Sequence, residues 1–520
     1  MNRRDFTKTG LAALAASVLG NETASAAEAE GLDFGPVQPF SFEALRALAK
    51  QRAGSAYVEP TSPAADIISN LSFDASQAIT FRRQDALWAA GPGRLPVRFF
   101  HLNKYVGLPV RIHAVTGRTS REILYRARYF DYGSAALAAK LPPDLGFAGF
   151  RVMDGRGVET DWLAFQGASY FRATGEQGQY GISARGIAVD TATATREEFP
   201  RFTEFWLKAG SEHASSVTIY ALLEGPSLTG AFAIEAARAE GVITTDVQAD
   251  LFARADIQRL GIAPLTSMYW YRENDLRRPL DWRPAIHDSD GLALWTGKGE
   301  RIWRPLNDPP RLQTNSFFDT HPKGFGLSQR DRDFDDYQDD GAFYNRRPSV
   351  WVEPKDDWGE GAVQLVEIPT DDEIHDNIVA FWQPKAPVKS GSALQVRYRL
   401  YWQPEDPPPP AGVARVVATR VGLGGVPGQP RPSDQYKFAI DFDGPVLRQL
   451  KQRYDIEAVV TTSRGKVLNP YVIKVVGTNR WRAIFDVSAQ GKDPINLRMF
   501  LRLGDHTLSE TWVFQFFPPT

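Results

Sequence analysis

The chain reads as an all-β protein built in two unequal parts, and three observations predict this. Short apolar, β-branched runs recur along most of its length. Val217-Thr218-Ile219-Tyr220-Ala221-Leu222-Leu223 is one, and Val396-Arg397-Tyr398-Arg399-Leu400-Tyr401-Trp402 alternates as a half-buried strand must. Gly and Pro, 43 and 36 residues, punctuate these runs, and long helical periods are rare, so antiparallel sheets are the economical solution. Finally, Gln403-Pro404-Glu405-Asp406-Pro407-Pro408-Pro409-Pro410-Ala411-Gly412 is rich in proline, which lacks a backbone donor and cannot continue a sheet. A linker at 404–412 therefore divides a large β part, 33–403, from a small one, 413–520.

Taken in order, the first element is a leader. Asn2-Arg3-Arg4-Asp5-Phe6-Thr7-Lys8 places an Arg pair before Phe and Lys, a short apolar stretch runs from Leu11 to Leu19, and Ala24-Ser25-Ala26 fits a small-residue cleavage site. That succession predicts a twin-arginine signal peptide over 1–26 and a mature periplasmic protein that folds before export. The apolar stretch is far shorter than the roughly 20 residues of a membrane-spanning helix. Phe42 to Gln51 spaces Leu and Ala helically and predicts one N-terminal helix. Beyond the linker about seven strand-like runs follow at the spacing of an immunoglobulin-like sandwich. They include Tyr436–Phe442, Ile456–Thr462, Tyr471–Val476, Trp481–Val487 and Thr511–Phe517.

Composition narrows the chemistry. A net charge of −2 across 520 residues offers no basic stripe for nucleic acid, and a neutral ligand fits it better. Cysteine is absent, which removes disulfides and thiolate metal sites. Histidines at 101, 113, 213, 287, 321, 375 and 506 lack metal-ligand spacing, so neither a metal nor a cofactor is expected. There is no Gly-x-Ser-x-Gly, no P-loop and no His-Glu-x-x-His. The 13 Trp hint at sugar binding, because pyranose C–H faces stack on indole rings. Trp295, Trp303, Trp351, Trp358 and Trp382 are candidate stacking or core residues, and core is the reading for most of them, because buried Trp dominates large β cores.

Acidic stretches with aromatic neighbours say more. They are Ile286-His287-Asp288-Ser289-Asp290, the carboxylate-dense 331–340 before Phe343 and Tyr344, and Thr370-Asp371-Asp372-Glu373-Ile374-His375-Asp376-Asn377 ahead of the apolar Ile378–Trp382. Glycoside hydrolysis needs two carboxyl groups, one protonated and one ionised. Spacing alone does not select the pair, and solvated loops with turn-capping Asp account for the same pattern.

Longer blocks carry a resemblance. Asp144-Leu145-Gly146-Phe147-Ala148-Gly149-Phe150-Arg151, Gly167-Ala168-Ser169-Tyr170-Phe171-Arg172-Ala173, Tyr180-Gly181-Ile182-Ser183-Ala184-Arg185-Gly186 and Asn345-Arg346-Arg347-Pro348-Ser349-Val350-Trp351-Val352-Glu353-Pro354 resemble the family of periplasmic glucan biosynthesis proteins G and D. So do Gly261–Met268 and Ser509-Glu510-Thr511-Trp512, and the leader is similar to that of the D branch. The resemblance implies a large galactose-mutarotase-like β-sandwich followed by the immunoglobulin-like one. It implies action on osmoregulated periplasmic β-1,2-glucan, as an anomer-inverting endo-β-1,2-glucanase or a transglycosylase, with a functional link to an inner-membrane glucosyltransferase. A non-catalytic glucan-binding or scaffold protein is the alternative.

By the same resemblance Asp376 matches the general acid, Asp288 the general base and Glu373 a nearby acidic position, and Tyr344 falls in a substrate-lining loop. The stretch 334–345 is similar to a mobile loop that helps close a cleft, though Asp339-Asp340-Gly341-Ala342-Phe343-Tyr344 departs from the family composition. Arg346 and Arg347 are candidates to position the acids or bind sugar hydroxyls, or else pack on nearby aromatics, and Trp351 is a candidate for substrate contact. An acid at 376 requires shielding from water to hold its proton, and the apolar strand after it is the expected source.

Overall fold

Alternation becomes strand wherever the sequence displays it. A computed structural model describes residues 31–519 except 90–94, 134–136, 138–139, 156–158, 211–214, 240 and 277–280. The predicted signal peptide, 1–26, lies outside the described residues. The run at 396–402 sits in strand Ala393–Gln403, with Val396, Tyr398, Leu400 and Trp402 buried and the intervening side chains more exposed. The run at 217–223 sits in Ser216–Glu224. The helix spans Phe42–Ala53, two residues beyond its predicted end. Ser41 caps it by accepting from the Ala44 N–H at 3.1 Å, and Leu45 and Ala49 pack on Trp206, Leu222 and Phe252 of the sheet beneath.

The protein is all-β, as predicted, and two sheets form its bulk. The larger runs from the short edge strand Gln38–Pro39 through Thr119–Glu122, Arg111–Thr116, Arg201–Ala209, Ser216–Glu224, Leu228–Ala239 and Val242–Ala253. It continues through Ala393–Gln403, Ser349–Pro354, Gly324–Ser328, Gly291–Trp295 and Arg301–Pro305. The facing sheet orders Gln313–Thr320, Glu360–Glu367, Ile378–Pro384, Leu260–Ser267, Ser183–Arg185, Tyr170–Ala173, Asp161–Gln166, Gly149–Met153 and Val97–Phe100. One apolar core fills the space between them. Phe165 stacks on Phe150 and Phe171 at 5.0 Å, and Phe202 and Phe205 of the larger sheet meet this column at its edge.

One of the two sheets of the C-terminal residues is continuous with the larger sheet. Thr511–Phe516 pairs in parallel with Arg301–Pro305, so the larger sheet continues into Ile495–Leu503 and Glu457–Thr462. A four-stranded sheet of Arg415–Leu423, Gln435–Asp443, Trp481–Ser488 and Lys466–Lys474 packs over that extension. Their common core takes in Ala293, Trp303 and Trp351 from the large part. The strand-like run read at 471–476 begins earlier, at Lys466, because a bulge with Asn469 at φ +48° carries the strand past Pro470.

Buried Asp406 anchors the proline-rich segment. Asp406 accepts from Arg330 Nε at 3.0 Å and from Arg415 at 2.6 Å, while Arg330 also donates to Glu510 at 2.5 Å. Burial raises the Asp406 pKa, but Arg330 and Arg415 together outweigh it and hold the carboxyl well below the usual range.

Removing Arg330 leaves buried Glu510 without its cation and Asp406 with only Arg415 and Arg301, so Arg330→Ala is expected to cost about 3–5 kcal/mol in urea unfolding. Because the folded pKa of Asp406 is depressed, its contribution is complete above about pH 4 and is lost as pH falls toward the folded value. The acid slope of stability is therefore steeper in the parent than in Arg330→Ala, as unfolding curves between about pH 2 and 5 will report.

Candidate active site

Strand ends from both sheets converge on one cleft. Asp288 follows the short strand Ile286–His287, which pairs with Tyr269–Tyr271, and its N–H donates to the Met268 carbonyl at 2.8 Å. Asp376 occupies the turn just before Ile378–Pro384. Asn377 fixes that turn beside the same Tyr269 segment, accepting from Tyr269 N–H and donating to the Tyr269 and Ile368 carbonyls, each at 2.9 Å. Arg347 precedes Ser349–Pro354, and Arg172 lies in Tyr170–Ala173. The cleft has a volume of about 370 Å³, and Arg172, Tyr180, Asp288, Arg347, Glu373 and Asp376 line it.

The two aspartates sit in unlike surroundings. Asp288 is buried and forms an ion pair with Arg347 Nη1. Burial raises its pKa, Arg347 opposes, and Asp376 adds a further rise, leaving it at about 6. Asp376 is open to water at the cleft mouth, yet protein on its other sides withholds full solvation. That desolvation raises its pKa against the lowering pull of Arg172 and Arg347. The shielding comes from the cleft walls rather than from the following strand, whose Ile378, Ala380 and Trp382 turn into the core.

A second network braces the cleft from behind. Tyr344 is buried and donates to Glu373 at 2.5 Å; burial and this carboxylate raise its pKa. Arg283 joins Glu373, Asp339 and Asp281 at 2.9, 2.7 and 3.0 Å. Asp339 in turn accepts from the Gly341 and Ala342 N–H groups, so the 334–345 loop is tied to the 371–376 turn. Gln329 is fully buried and donates to the carbonyls of His287 and Tyr344 at 3.0 Å, while its oxygen meets His287 Nδ1 at 2.8 Å. With the amide nitrogen committed to two carbonyls, Nδ1 is the protonated imidazole nitrogen. Burial drives the His287 pKa well down and keeps the ring neutral.

Of the residues singled out in the sequence, Asp288, Arg347, Glu373 and Asp376 meet in the cleft, and Tyr344 supports Glu373 from beneath. Arg346 does not join them. It is exposed beside Gln177 and Arg332 in a separate pocket, with its guanidinium 4.5 Å from the Phe343 ring centre. Trp351 is absent from the cleft too, because the strand carries it to the sheet face covered by the C-terminal sandwich. Trp303, Trp358 and Trp382 are likewise buried, and Trp295 is half-buried.

Three contributors escaped the sequence reading: Arg172, Tyr180 and Gln329. The first two stood inside the quoted blocks, and Arg172 is the exposed residue of an otherwise well-packed short strand. Its guanidinium lies 4.6 Å from the Tyr180 ring centre, and Tyr180 donates to Asp161 at 2.7 Å. Gly181 was a further signal, since a Cβ there would stand 2.9 Å from Arg347 Cβ. Among the described residues no group of three or more His, Cys, Asp or Glu is placed to hold a metal ion.

Comparison with known proteins gives a consistent picture. Residues 40–516 match the family described as periplasmic glucan biosynthesis protein, MdoG. Glucans biosynthesis protein D 2 of Ralstonia nicotianae is 52% identical over 510 residues, 95% of this chain and 94% of that protein. Glucans biosynthesis protein D of Stenotrophomonas maltophilia is 47% identical over 526 residues, covering 100% and 98% of the two. Among solved structures, an alpha-galactosidase from Lactobacillus brevis aligns over 42% of this chain and 28% of its own, at 10% identity and a TM-score of 0.25, a likeness too faint to carry an argument.

The layout predicts the titration of both acids. Carboxyl-carbon NMR is expected to show Asp288 with a midpoint near pH 6. Asp376 is expected above the ordinary carboxyl range, and Arg347→Met should move both upward, since that guanidinium lowers each. An Asp288 midpoint that ignores the loss of Arg347 contradicts the arrangement.

Proposed function

The chain belongs to the periplasmic glucan biosynthesis protein MdoG family, and from the two unlike aspartates of its cleft we propose an enzyme that cuts or transfers β-1,2-linked glucan. Membership gives the protein its place in periplasmic glucan biosynthesis. The proposed reaction begins with a glucan strand lying across the cleft. Asp376, whose pKa desolvation at the cleft shifts upward, gives its proton to the departing glucosyl oxygen as the glycosidic bond breaks. A water molecule attacks the anomeric carbon from the opposite face, and its proton passes to Asp288, which inverts that centre. With a pKa near 6, Asp288 is mostly ionised at neutral pH, as a base must be. If a sugar hydroxyl takes the place of water the same proton path yields transfer instead of hydrolysis.

The observation that carries this reading is that two carboxyls face one space, one buried against Arg347 and the other opening to the cleft mouth. An inverting pair needs room for the attacking water, roughly 6.5–9.5 Å between carboxyls. A wider gap requires a relay through water or a glucan hydroxyl. Glu373, held by Tyr344 and Arg283, is a fixed acceptor for sugar hydroxyls beside the acid. The leader assigns export to the twin-arginine route, and the inner-membrane glucosyltransferase that builds the backbone is the source of substrate.

A second reading, a protein that holds glucan without cutting it, draws on the openness of Asp376, because a solvated carboxyl keeps its proton less well. One assay separates the two. On linear β-1,2-glucan the parent should release new reducing ends or new linkages, with an acid limb near pH 6 set by Asp288. Asp376→Asn and Asp288→Asn should each lose about 10²–10⁴-fold in turnover while still binding the glucan. Full activity in Asp376→Asn rejects that residue as the acid, and binding without any product from the parent favours the holding reading.

A further inference from the structure

The larger sheet carries a second groove, apart from the cleft, whose construction points to a ligand. It has a volume of about 680 Å³, against about 370 Å³ for the cleft, and the two share no lining residue. Trp295 and Tyr401 form its aromatic surface over the buried Trp351, with Lys323, Glu353 and Asp356 at the rim. We infer that this groove is a second glucan-binding site, occupied by a stretch of the same chain that crosses the cleft; this rests on the glucan-acting function proposed above.

The aromatic surface is built into the backbone. Trp351 pairs across the sheet with Gly326 on one side and Tyr401 on the other. A Cβ on Gly324 would come within 2.4 Å of the Trp351 indole, and one on Gly326 within 3.1 Å, so two glycines on the neighbouring strand let that ring lie close against it. Buried Arg301 reaches both indoles, 4.9 Å from the Trp295 ring centre and 5.4 Å from that of Trp351, and Lys323 Nζ approaches Trp295 at 5.3 Å. These contacts fix the rings before any ligand arrives. Trp295 and Tyr401 are the half-buried members, and they leave aromatic surface open to the groove.

The polar groups select the kind of ligand. Lys323 faces a rim that carries Glu353, Asp356 and Asp357, so an anion gains nothing there. Tyr401 is hydrogen-bonded to Glu353, which combines a ring with a carboxylate at one edge. A flat apolar face beside donors and acceptors of both kinds matches a neutral polyol ring, which offers C–H surface on its faces and hydroxyls at its edge. The volume falls in the usual range of about 300–1,000 Å³ for ligand sites.

Position supplies the link to the cleft. Arg347 lines the cleft, and the strand that starts at Ser349 leads straight to Trp351 and Glu353. At about 3.3 Å per residue, four to six residues span roughly 13–20 Å. A glucan held at one site therefore has a high effective concentration at the other, so affinity should grow with chain length.

The test is calorimetric titration on an Asp376→Asn background, so that glucan is not consumed, with short β-1,2-gluco-oligosaccharides and with long linear β-1,2-glucan. Two oligosaccharides are expected per chain, falling to one in Trp295→Ala, with about tenfold weaker binding of the long glucan. With Asp376 restored, Trp295→Ala should cleave short oligosaccharides at the parent rate. If Trp295→Ala proves unstable to heat, Glu353→Gln with Gln403→Ala, both in the groove lining, takes its place in the same titration, with the same losses expected. A single oligosaccharide per chain in the parent, or long-glucan affinity unchanged in these variants, overturns the inference whether or not the cleft is catalytic. Conversely, a second site lost with Trp295 upholds the groove even if no glucan is ever cleaved.

Discussion

Arg330 is the side chain through which the C-terminal strands and the cleft share one support. It is buried against Asp406 and Glu510 and lies 3.7 Å from the ring centre of Trp303. Its own N–H and that of Asp331 donate to the Asp290 carboxylate, each at 3.1 Å, and Asp290 also takes Arg272 at 3.1 Å. Asp290 stands two residues from Asp288. One short segment of backbone thus grips the proline-rich connection with its side chain and the base-bearing turn with its amides. Buried charges of this kind tolerate no partial loss, because each member left alone faces a low-dielectric surrounding. The small sandwich is consequently part of what holds the cleft, although it supplies no lining residue.

Within the cleft a single guanidinium acts on both acids. Arg347 pairs with Asp288 and also lowers the pKa of Asp376, and the Tyr344 ring centre lies 4.3 Å from it. Asp376 in its turn adds to the rise of Asp288, so the charge on the outer acid bears on the inner one. What separates them is solvent: one is buried among protein, the other reaches the mouth. Arg172 and Arg347 set against Asp288, Glu373 and Asp376 leave little net charge, which suits an uncharged glucan better than a phosphorylated or acidic ligand.

How legible this was from sequence follows from the range of each interaction. The strand at 393–403 could be read because alternate burial writes itself directly as alternate apolarity. The helix could be read because Ser41 and the Leu spacing are local. The pairing of 301–305 with 511–516 could not, since nothing local encodes a partner some two hundred residues away. The aspartates were reached through family-like blocks, whereas spacing left every acidic stretch equal. Arg346 and Trp351 flank Arg347 in sequence, yet the turn exposes the first and the strand sends the second to the opposite side of its sheet system. Gln329 stayed invisible because its role exists only once His287 and Tyr344 are folded around it.

The same bracing bears on the choice between water and sugar as the attacking group. The 334–345 loop is held through Asp339 to Arg283 and through Tyr344 to Glu373, while Gln329 fastens the Tyr344 carbonyl to the strand ahead of Asp288. Side chains tied at both ends move little, so the free space next to Asp288 is set chiefly by what occupies the cleft. A glucan that fills this space excludes bulk water and leaves its own hydroxyl as the group nearest the base. A shorter occupant leaves room for water. On the proposed mechanism, hydrolysis and transfer then differ in how completely the chain fills the cleft rather than in the acid and base. Through Tyr344 and Asp339 the loop bears on Glu373, which lines the cleft.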